Sequence, residues 1–558
     1  MALKKEVYAA FEAVVGHNNI SQSPAVLETY RCAMAQSSSH CGPYRGRTPM
    51  PQAVVLPGST EEVQKVVQLC NQYRIKFKAS SSFWSAVGYI GDDNAIQIDM
   101  RRMRNITVDP VNMIMTVESY VNAAMAQAEA MKYGLMSPVP GCGSSSCVIP
   151  NTVSWVGGGS NSIYVGASSD CLLCAEWVLP NGSLVKTGSA GAGAGWFCGD
   201  GPGFSNRALF RGMCGTTGDM GICTKISLKL SPWPGPKFIE TEGLIPGYRA
   251  KVPKNIKFYE LCFPTWEKWA RAVLRLGDSE AIFAGHRQFS CLGSDLKAAM
   301  LEILLDPDKQ LCDLPELLQR PEIKATTESQ RIDMGVVITG MTPEDMEWKE
   351  EVIQQVLKEF DGWLDPRAME PDMNEWMLLF YLRLGHKNLN FVYCGGYEGH
   401  LGLAASDILY SAEICEEAFA LRKKWFEDGH TGLADIGSDS ALNVISKTSG
   451  AAGFSPWEFF GHFDPSDEES VADSRAFFDV THQWMMEKNL GPDFCRKNAD
   501  IRRADGYCLS QEEHNEMYAK KPYNLPEQYQ WKMNEAFNPN KLNTTYYRML
   551  DPTYAKKQ

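Results

Sequence analysis

A chain of 558 residues, 44% of them apolar, is too long for one ordinary core and has the composition of a globular protein with two domains. Its formal net charge of -13 comes without a cluster of Lys and Arg, which argues against a nucleic-acid partner. No apolar run approaches the length needed to cross a bilayer.

The chain opens with MALKKEVYAAFEAVVGHNN, whose apolar positions are broken by Glu6, Glu12 and His17. This predicts an amphipathic helix, not a cleaved signal, and with it a cytoplasmic protein. In that setting 17 cysteines suggest a reducing compartment. Residues 1–50 read as a helical lead-in ending in the turn-rich CAMAQSSSHCGPYRGRTPMP. PQAVVLPGSTEEVQKVVQLCNQYRIKFKA then reads as a strand, a helix starting at Ser59-Thr60-Glu61-Glu62, and a second strand. IQIDMRRMRNITVD, VIPNTVSWVGGG and CAEWVLPNGSLVKTG follow, and LFRGMCGTTGDMGICTKISLKLSP closes the region with an alternating strand after several glycines. The single C-x-x-C, Cys171/Cys174, falls in a segment read as strand, where alternation sends the two sulfurs to opposite faces and disfavours a metal. No C-x-x-C-H or cluster-binding Cys run occurs, so no metal or haem is expected.

SPWPGP marks an exit, and from about 236 to 495 strands alternate with amphipathic helices. MGVVITG precedes MTPEDMEWKEEVIQQVLKEF, with Thr342 as cap and Pro343 in the first turn. NLNFVYCGGYEGHLGLAASD precedes ILYSAEICEEAFALRKKWFEDG, and PWEFFGHFDP precedes the helix up to WMMEK. The expected boundaries are a lead-in at 1–50, a cofactor domain at 51–235, a cap at 236–495 and a C-terminal return at 496–558.

The ordered segments between Pro51 and Pro232 resemble the flavoprotein family of vanillyl-alcohol oxidase and the flavin subunit of p-cresol methylhydroxylase. The resemblance implies an α+β protein: a two-subdomain FAD-binding domain with an α+β cap over the flavin. No G-x-G-x-x-G follows a first strand, which leaves a nicotinamide cofactor without support. In the family, backbone N–H groups of two loops cradle the FAD pyrophosphate. The first corresponds to Ser80-Ser81-Ser82-Phe83-Trp84-Ser85, with serines and aromatics where relatives carry glycine. The second runs from Pro140-Gly141-Cys142 through Cys147 to Asn151-Thr152, with Gly221-Ile222 at the last strand. His400, in Gly395-Gly396-Tyr397-Glu398-Gly399-His400, falls where some members tether the flavin through a histidine just before an alternating strand; a loop histidine beside the pocket or facing solvent is the other reading.

The implied activity is oxidation of a small aromatic substrate, a para-substituted phenol or benzylic alcohol, by hydride transfer to the flavin. Such a substrate bound as phenolate needs a clamp around its oxygen. Tyr89 and Arg496 fall where the resemblance puts one. Cys142 stands about where vanillyl-alcohol oxidase has an acidic residue, and Cys495 replaces a tyrosine beside the arginine, so both positions depart from the pattern. A dehydrogenase passing electrons to a separate acceptor protein is favoured over an oxidase, and a homodimer or larger homo-oligomer is expected. Two alternatives share the fold. A D-2-hydroxy-acid dehydrogenase would want a metal-binding histidine strand, for which Gly461-His462-Phe463-Asp464 is the nearest segment. A redox-neutral flavin alkyl transferase would want paired histidines, whereas His482 and His514 are isolated. A flavin-fold electron-transfer subunit is the non-enzymatic reading.

Overall fold

The computed structural model describes residues 2–31, 50–83, 90, 94–138, 143–153, 159–201, 220–243, 249–287, 308, 321, 332–369, 371–384, 396–404, 408–430, 433–434, 440–441, 455–463, 467–488 and 532–543. Four strands, β1 (Ile20–Ser21), β2 (Val54–Val55), β3 (Lys76–Ser80) and β4 (Ala95–Asp99), form a sheet in the order β1-β2-β4-β3. The three inner pairings differ in sense: β2 and β3 both run parallel to β4, while β1 is antiparallel to β2. The helix Thr60–Tyr73 connects β2 to β3. Ser59 caps it by accepting from the Glu62 N–H at 3.2 Å, and Glu62 reaches back to the Gly58 N–H at 2.7 Å. Its apolar stripe, Val63, Val66, Val67 and Cys70, packs with Phe11, Val55, Phe77 and Ile98 in one buried cluster. Each fully buried side chain of this size contributes roughly 1.5–3 kcal/mol.

The first helix, Lys5–Val15, buries Val7, Phe11 and Val15 in that same cluster. β1 is too short to leave a periodic trace in the sequence, and the lead-in is therefore more than a helix: it supplies an edge strand. The opposite edge is covered from the far end of the chain. The Phe77 N–H donates to the Leu542 carbonyl at 2.9 Å, and Phe77 and Asn543 form a parallel bridge.

A second sheet contains β5 (Ile106–Asp109), β6 (Ile114–Glu118), β8 (Leu172–Val178), β9 (Leu184–Lys186) and β10 (Ile222–Lys229), ordered β5-β6-β10-β8-β9. The strand expected to alternate, β10, is instead buried on both faces except at Lys225 and Lys229. Ile222 joins the first cluster, whereas Cys223, Ile226 and Leu228 join the core of the second sheet, because β10 lies where the two sheets meet. Gly221, at φ +107°, makes the turn into it; a Cβ there would lie 2.3 Å from the Val178 carbonyl. A short pair, β7 (Leu135–Met136) with β11 (Ser231–Pro232), leads toward the cap.

The cap begins with the hairpin β12 (Glu240–Glu242) and β13 (Arg249–Lys251). Its first sheet contains β14 (Ile256–Phe263), β15 (Ala284–His286), β16 (Ile332–Thr339) and β17 (Trp363–Leu364), ordered β15-β16-β14-β17. Alternation splits its side chains. Leu261, Phe263, Met334, Val336 and Ile338 pack under the helices Trp266–Ser279, Pro343–Glu359 and Ile408–Glu427. Phe258 and Val337, on the other face, share a cluster with the helix Pro371–Tyr381 and with Met131, Met136 and Trp233 of the first domain. A further sheet joins β18 (Gly396–Ala404), β19 (Leu433–Ala434), β20 (Ser440–Ala441) and β21 (Ser455–Phe463), with β21 central. The helix expected after MTPE runs from Pro343, with the Thr342 hydroxyl accepting from the Asp345 N–H at 3.2 Å.

Candidate cofactor and active site

The parallel strands β3 and β4 end side by side, Ser80 opposite Asp99, and the chain leaves β3 into Ser81-Ser82-Phe83. The C-terminal edge of parallel strands is where open α/β sheets hold ligands. Phe83 stands at φ +54°, in the left-handed region that glycine occupies freely and other residues enter at a cost of about 1–2 kcal/mol. The serine and aromatic loop thus takes a turn that a glycine would make without strain. Beside it, the buried Asp99 carboxylate accepts from the Tyr30 hydroxyl at 2.7 Å and from Arg101 Nε at 2.6 Å.

The second loop is tied to the start of the helix Ala123–Met131. The N–H groups of Ala123 and Ala124 donate to the carbonyls of Ser146 (3.0 Å) and Ser144 (3.1 Å), and Asn122 bridges to Cys147. These helix-start donors are therefore spent within the protein. Asn151 Nδ2 donates to the Cys147 carbonyl at 2.8 Å, and the Thr152 hydroxyl to the Val148 carbonyl at 2.9 Å. Both side chains, buried, shape their own loop.

Cys147 is where the two loops meet. Ser81 and Ser82 stand beside its buried thiol and ease ionisation, but burial dominates and pushes its pKa up to about 11. The sulfur stays protonated at working pH and presents no negative charge. Asp99 is neutralised by Arg101, which pairs with it at 2.6 Å. A pyrophosphate would thus meet serine hydroxyls, a neutral thiol and backbone, without an uncompensated carboxylate, and this donor chemistry fits FAD.

The sequence-predicted residues fall into four groups. Ser81 and Ser82, in the loop from Ser80 to Phe83, meet Cys147, whose carbonyl Asn151 holds, while Thr152 bonds within its own loop. Gly221 and Ile222 lie at the junction of the two sheets, where the Ile222 side chain packs in one cluster with Val55, Val63 and Phe77. Trp84, Ser85, Tyr89, Pro140, Gly141, Cys142 and Arg496 lie outside the described residues. His400, expected just before a strand, is inside one: β18 pairs continuously with β21 from Gly396, and His400 stands opposite Phe459. Ladder pairing with β21 overrides the weak strand preference of the glycines in this segment. The His400 side chain is outside the described residues. Cys171 and Cys174 do turn to different neighbours, Cys171 to the Val165 carbonyl and Cys174 to Ser189 and the Cys198 carbonyl.

Sequence reasoning missed Tyr30, Asp99 and Arg101, and it missed a set of buried charged groups in the cap. Glu260, Arg287, Asp333 and Arg383 are all at most 5% exposed. Arg287 Nε pairs with Asp333 at 3.4 Å. Gly335 leaves room for Tyr381, whose oxygen would be 2.2 Å from a Cβ there. Burial, then Glu260 and Asp333, holds that phenol far above its ordinary range. The signal was present, because IKFYELCF and IDMGVVIT each carry an acid inside an otherwise apolar strand face. The cap lies against the loop that follows the second cofactor loop: the Ser160 hydroxyl donates to the Tyr381 carbonyl at 2.6 Å, and its carbonyl accepts the Gly285 N–H at 2.7 Å.

Residues 51–188 match a family described as an FAD binding domain. Across 96% of the chain the fold superposes on 95% of p-cresol methylhydroxylase with substrate bound, at TM-score 0.66 and 16% identity. It likewise covers 95% of 4-ethylphenol oxidase from Gulosibacter chungangensis, at TM-score 0.68 and 15% identity. The chain carries an FAD-binding domain and shares its overall fold with p-cresol methylhydroxylase and 4-ethylphenol oxidase. Its cofactor is FAD. By sequence, this flavoprotein is 29% identical over 186 residues to a D-lactate dehydrogenase of Anaerostipes hadrus, a match spanning 33% of the flavoprotein and 37% of that relative. No described helix is long and apolar enough to cross a membrane.

Proposed function

We propose that this flavoprotein is an FAD-dependent oxidoreductase that removes a hydride from a small aromatic substrate, a para-substituted phenol or benzylic alcohol. The reading is carried by the meeting of Ser81 and Ser82 with Cys147 at the ends of β3 and β4, beside a cap that shares a core with the cofactor domain. FAD, when bound, supplies the two-electron acceptor. The serine loops hold its pyrophosphate, and the cap's inner face excludes water from the reacting carbon. In this reading Tyr89 and Arg496 clamp the phenolic oxygen as an anion, and Cys142 stands near the ring. A separate acceptor protein takes the electrons, and the protein works in the cytoplasm as a homo-oligomer. Support for the aromatic substrate is the near-complete coverage of p-cresol methylhydroxylase and 4-ethylphenol oxidase, cap included.

A second reading, a D-2-hydroxy-acid dehydrogenase, is favoured by the sequence match to a D-lactate dehydrogenase. One experiment separates them. Under anaerobic conditions the purified protein is mixed with para-substituted phenols, their O-methyl ethers and D-lactate, and the flavin absorbance is followed. Phenols bleach it and ethers, which cannot ionise, do so far more slowly. Arg496→Ala slows reduction by phenols about ten- to hundredfold, the loss of one charge-assisted partner, with FAD content unchanged. Bleaching by D-lactate alone moves the assignment to the second reading. Acid precipitation decides attachment: flavin in the pellet that His400→Ala releases marks a tether, and flavin in the supernatant marks non-covalent binding.

A further inference from the structure

The first cofactor loop holds a strained residue, and a side chain far away in sequence is packed against it. Tyr30 follows the short helix Pro24–Thr29 and lies edge-on to Phe83, ring centroids 5.5 Å apart at 75°. Its hydroxyl donates to Asp99, which stands opposite Ser80 where β3 runs into the loop. The Arg101 guanidinium, held by the same carboxylate, sits 5.8 Å from the centre of the Tyr30 ring. Tyr30 therefore touches the loop through its ring at Phe83, and the neighbouring end of β4 through Asp99.

We propose that Tyr30 is a positioning residue for the cofactor: the N-terminal segment crosses the parallel sheet, and Tyr30 holds Phe83 left-handed so that Ser81 and Ser82 stay against Cys147. This rests on the reading of Ser80–Phe83 as a pyrophosphate loop. A non-glycine residue leaves the left-handed region unless its surroundings hold it there. An aromatic edge contact of this kind supplies the holding contact, and the hydroxyl bond fixes the ring that makes it. Burial first, and then the Asp99 carboxylate, keeps the Tyr30 phenol protonated at every working pH, so the donor is always present.

The test reads the loop junction directly, in the protein as purified and whether or not the flavin is tethered. A thiol alkylating reagent is added and modification of Cys147 and Cys70 is followed by peptide mass spectrometry. Both thiols are buried, Cys147 between the loops and Cys70 in the core of the first sheet. Tyr30→Phe raises the Cys147 rate about threefold and Tyr30→Ala about tenfold, while Cys70 is unchanged, as expected for a local opening and not a global one. In a Phe83→Gly background, where positive φ is free, Tyr30→Ala changes the Cys147 rate by less than about threefold. Flavin content falls in Tyr30→Ala and is regained in the double variant. The proposal is overturned if Cys147 and Cys70 accelerate together, if Cys147 does not respond, or if Tyr30→Ala acts as strongly with Gly at 83. Absence of FAD from the unaltered protein would sink the cofactor reading instead, and leave the alkylation pattern to decide on Tyr30.

Discussion

The cofactor domain and the cap bury polar groups in different ways. In the cofactor domain the deep carboxylate Glu176 is surrounded by short-range donors: the Thr60 hydroxyl at 2.7 Å, Thr224 at 3.0 Å and Lys186 Nζ at 2.9 Å. Those donors come from the start of the helix Thr60–Tyr73, from β10 and from β9, so one carboxylate fastens the helix to the second sheet. The cap instead places full charges of both signs inside one layer, Arg287 and Asp333 among them, with Arg287 also 4.8 Å from the Trp266 ring centre. Hydroxyl-based satisfaction tolerates the loss of one partner. A buried charge pair does not, because the survivor is left in low dielectric.

The sharpest way to break this contrast is Asp333→Ala, which removes from the cap interior the carboxylate paired with the Arg287 guanidinium. It should cost about 3–5 kcal/mol in urea unfolding followed by cap tryptophan fluorescence. A cost below about 1 kcal/mol would mean that the cap's charges are as forgiving as the carboxylate of the cofactor domain. Glu176→Gln should cost less, about 1 kcal/mol at neutral pH, because Lys186 is partly exposed and the amide still accepts from Thr60. Its sign is also testable. Burial acts to raise the Glu176 carboxyl, but hydrogen bonds from Thr60, Lys186 and Thr224 reverse this and lower it. The stabilisation is complete above the ordinary carboxylate pKa and disappears as pH falls through the lowered one. The wild-type and Glu176→Gln melting curves should therefore converge in acid. Divergence there would show that burial wins. The smallest effects belong to the two hydroxyl caps, one in each region: Ser59→Ala and Thr342→Ala should each lose about 1 kcal/mol in thermal unfolding, a control that local capping does not distinguish the domains.

What the sequence disclosed follows the same division. The helix start at Ser59 and the Thr342-Pro343 cap were legible because each is a local device with few residues and a fixed spacing. The FAD-binding domain was legible through the order of its segments along the chain. Contacts across many residues were not: Tyr30 with Asp99, and β1 on the edge of the first sheet, carry no periodic signal. His400 was misplaced for a related reason, since a strand rich in glycine is specified by its partner β21 and not by its own composition. Gly221 was noticed as a glycine, but what it serves, close passage past the Val178 carbonyl, is a property of two strands.

The pairing of Phe77 with Leu542 and Asn543 has a consequence for synthesis. The strand β3 of the first sheet is synthesised long before its outermost neighbour, which is available only after residue 543 has left the ribosome. The cap is thus a long insertion within a domain that cannot close until the cap has been made, and the loop between Phe77 and Leu542 has to close before the final contact. During that interval the outer edge of β3 is an open strand next to the nascent flavin loop, the stage at which a chaperone or early flavin capture would matter most.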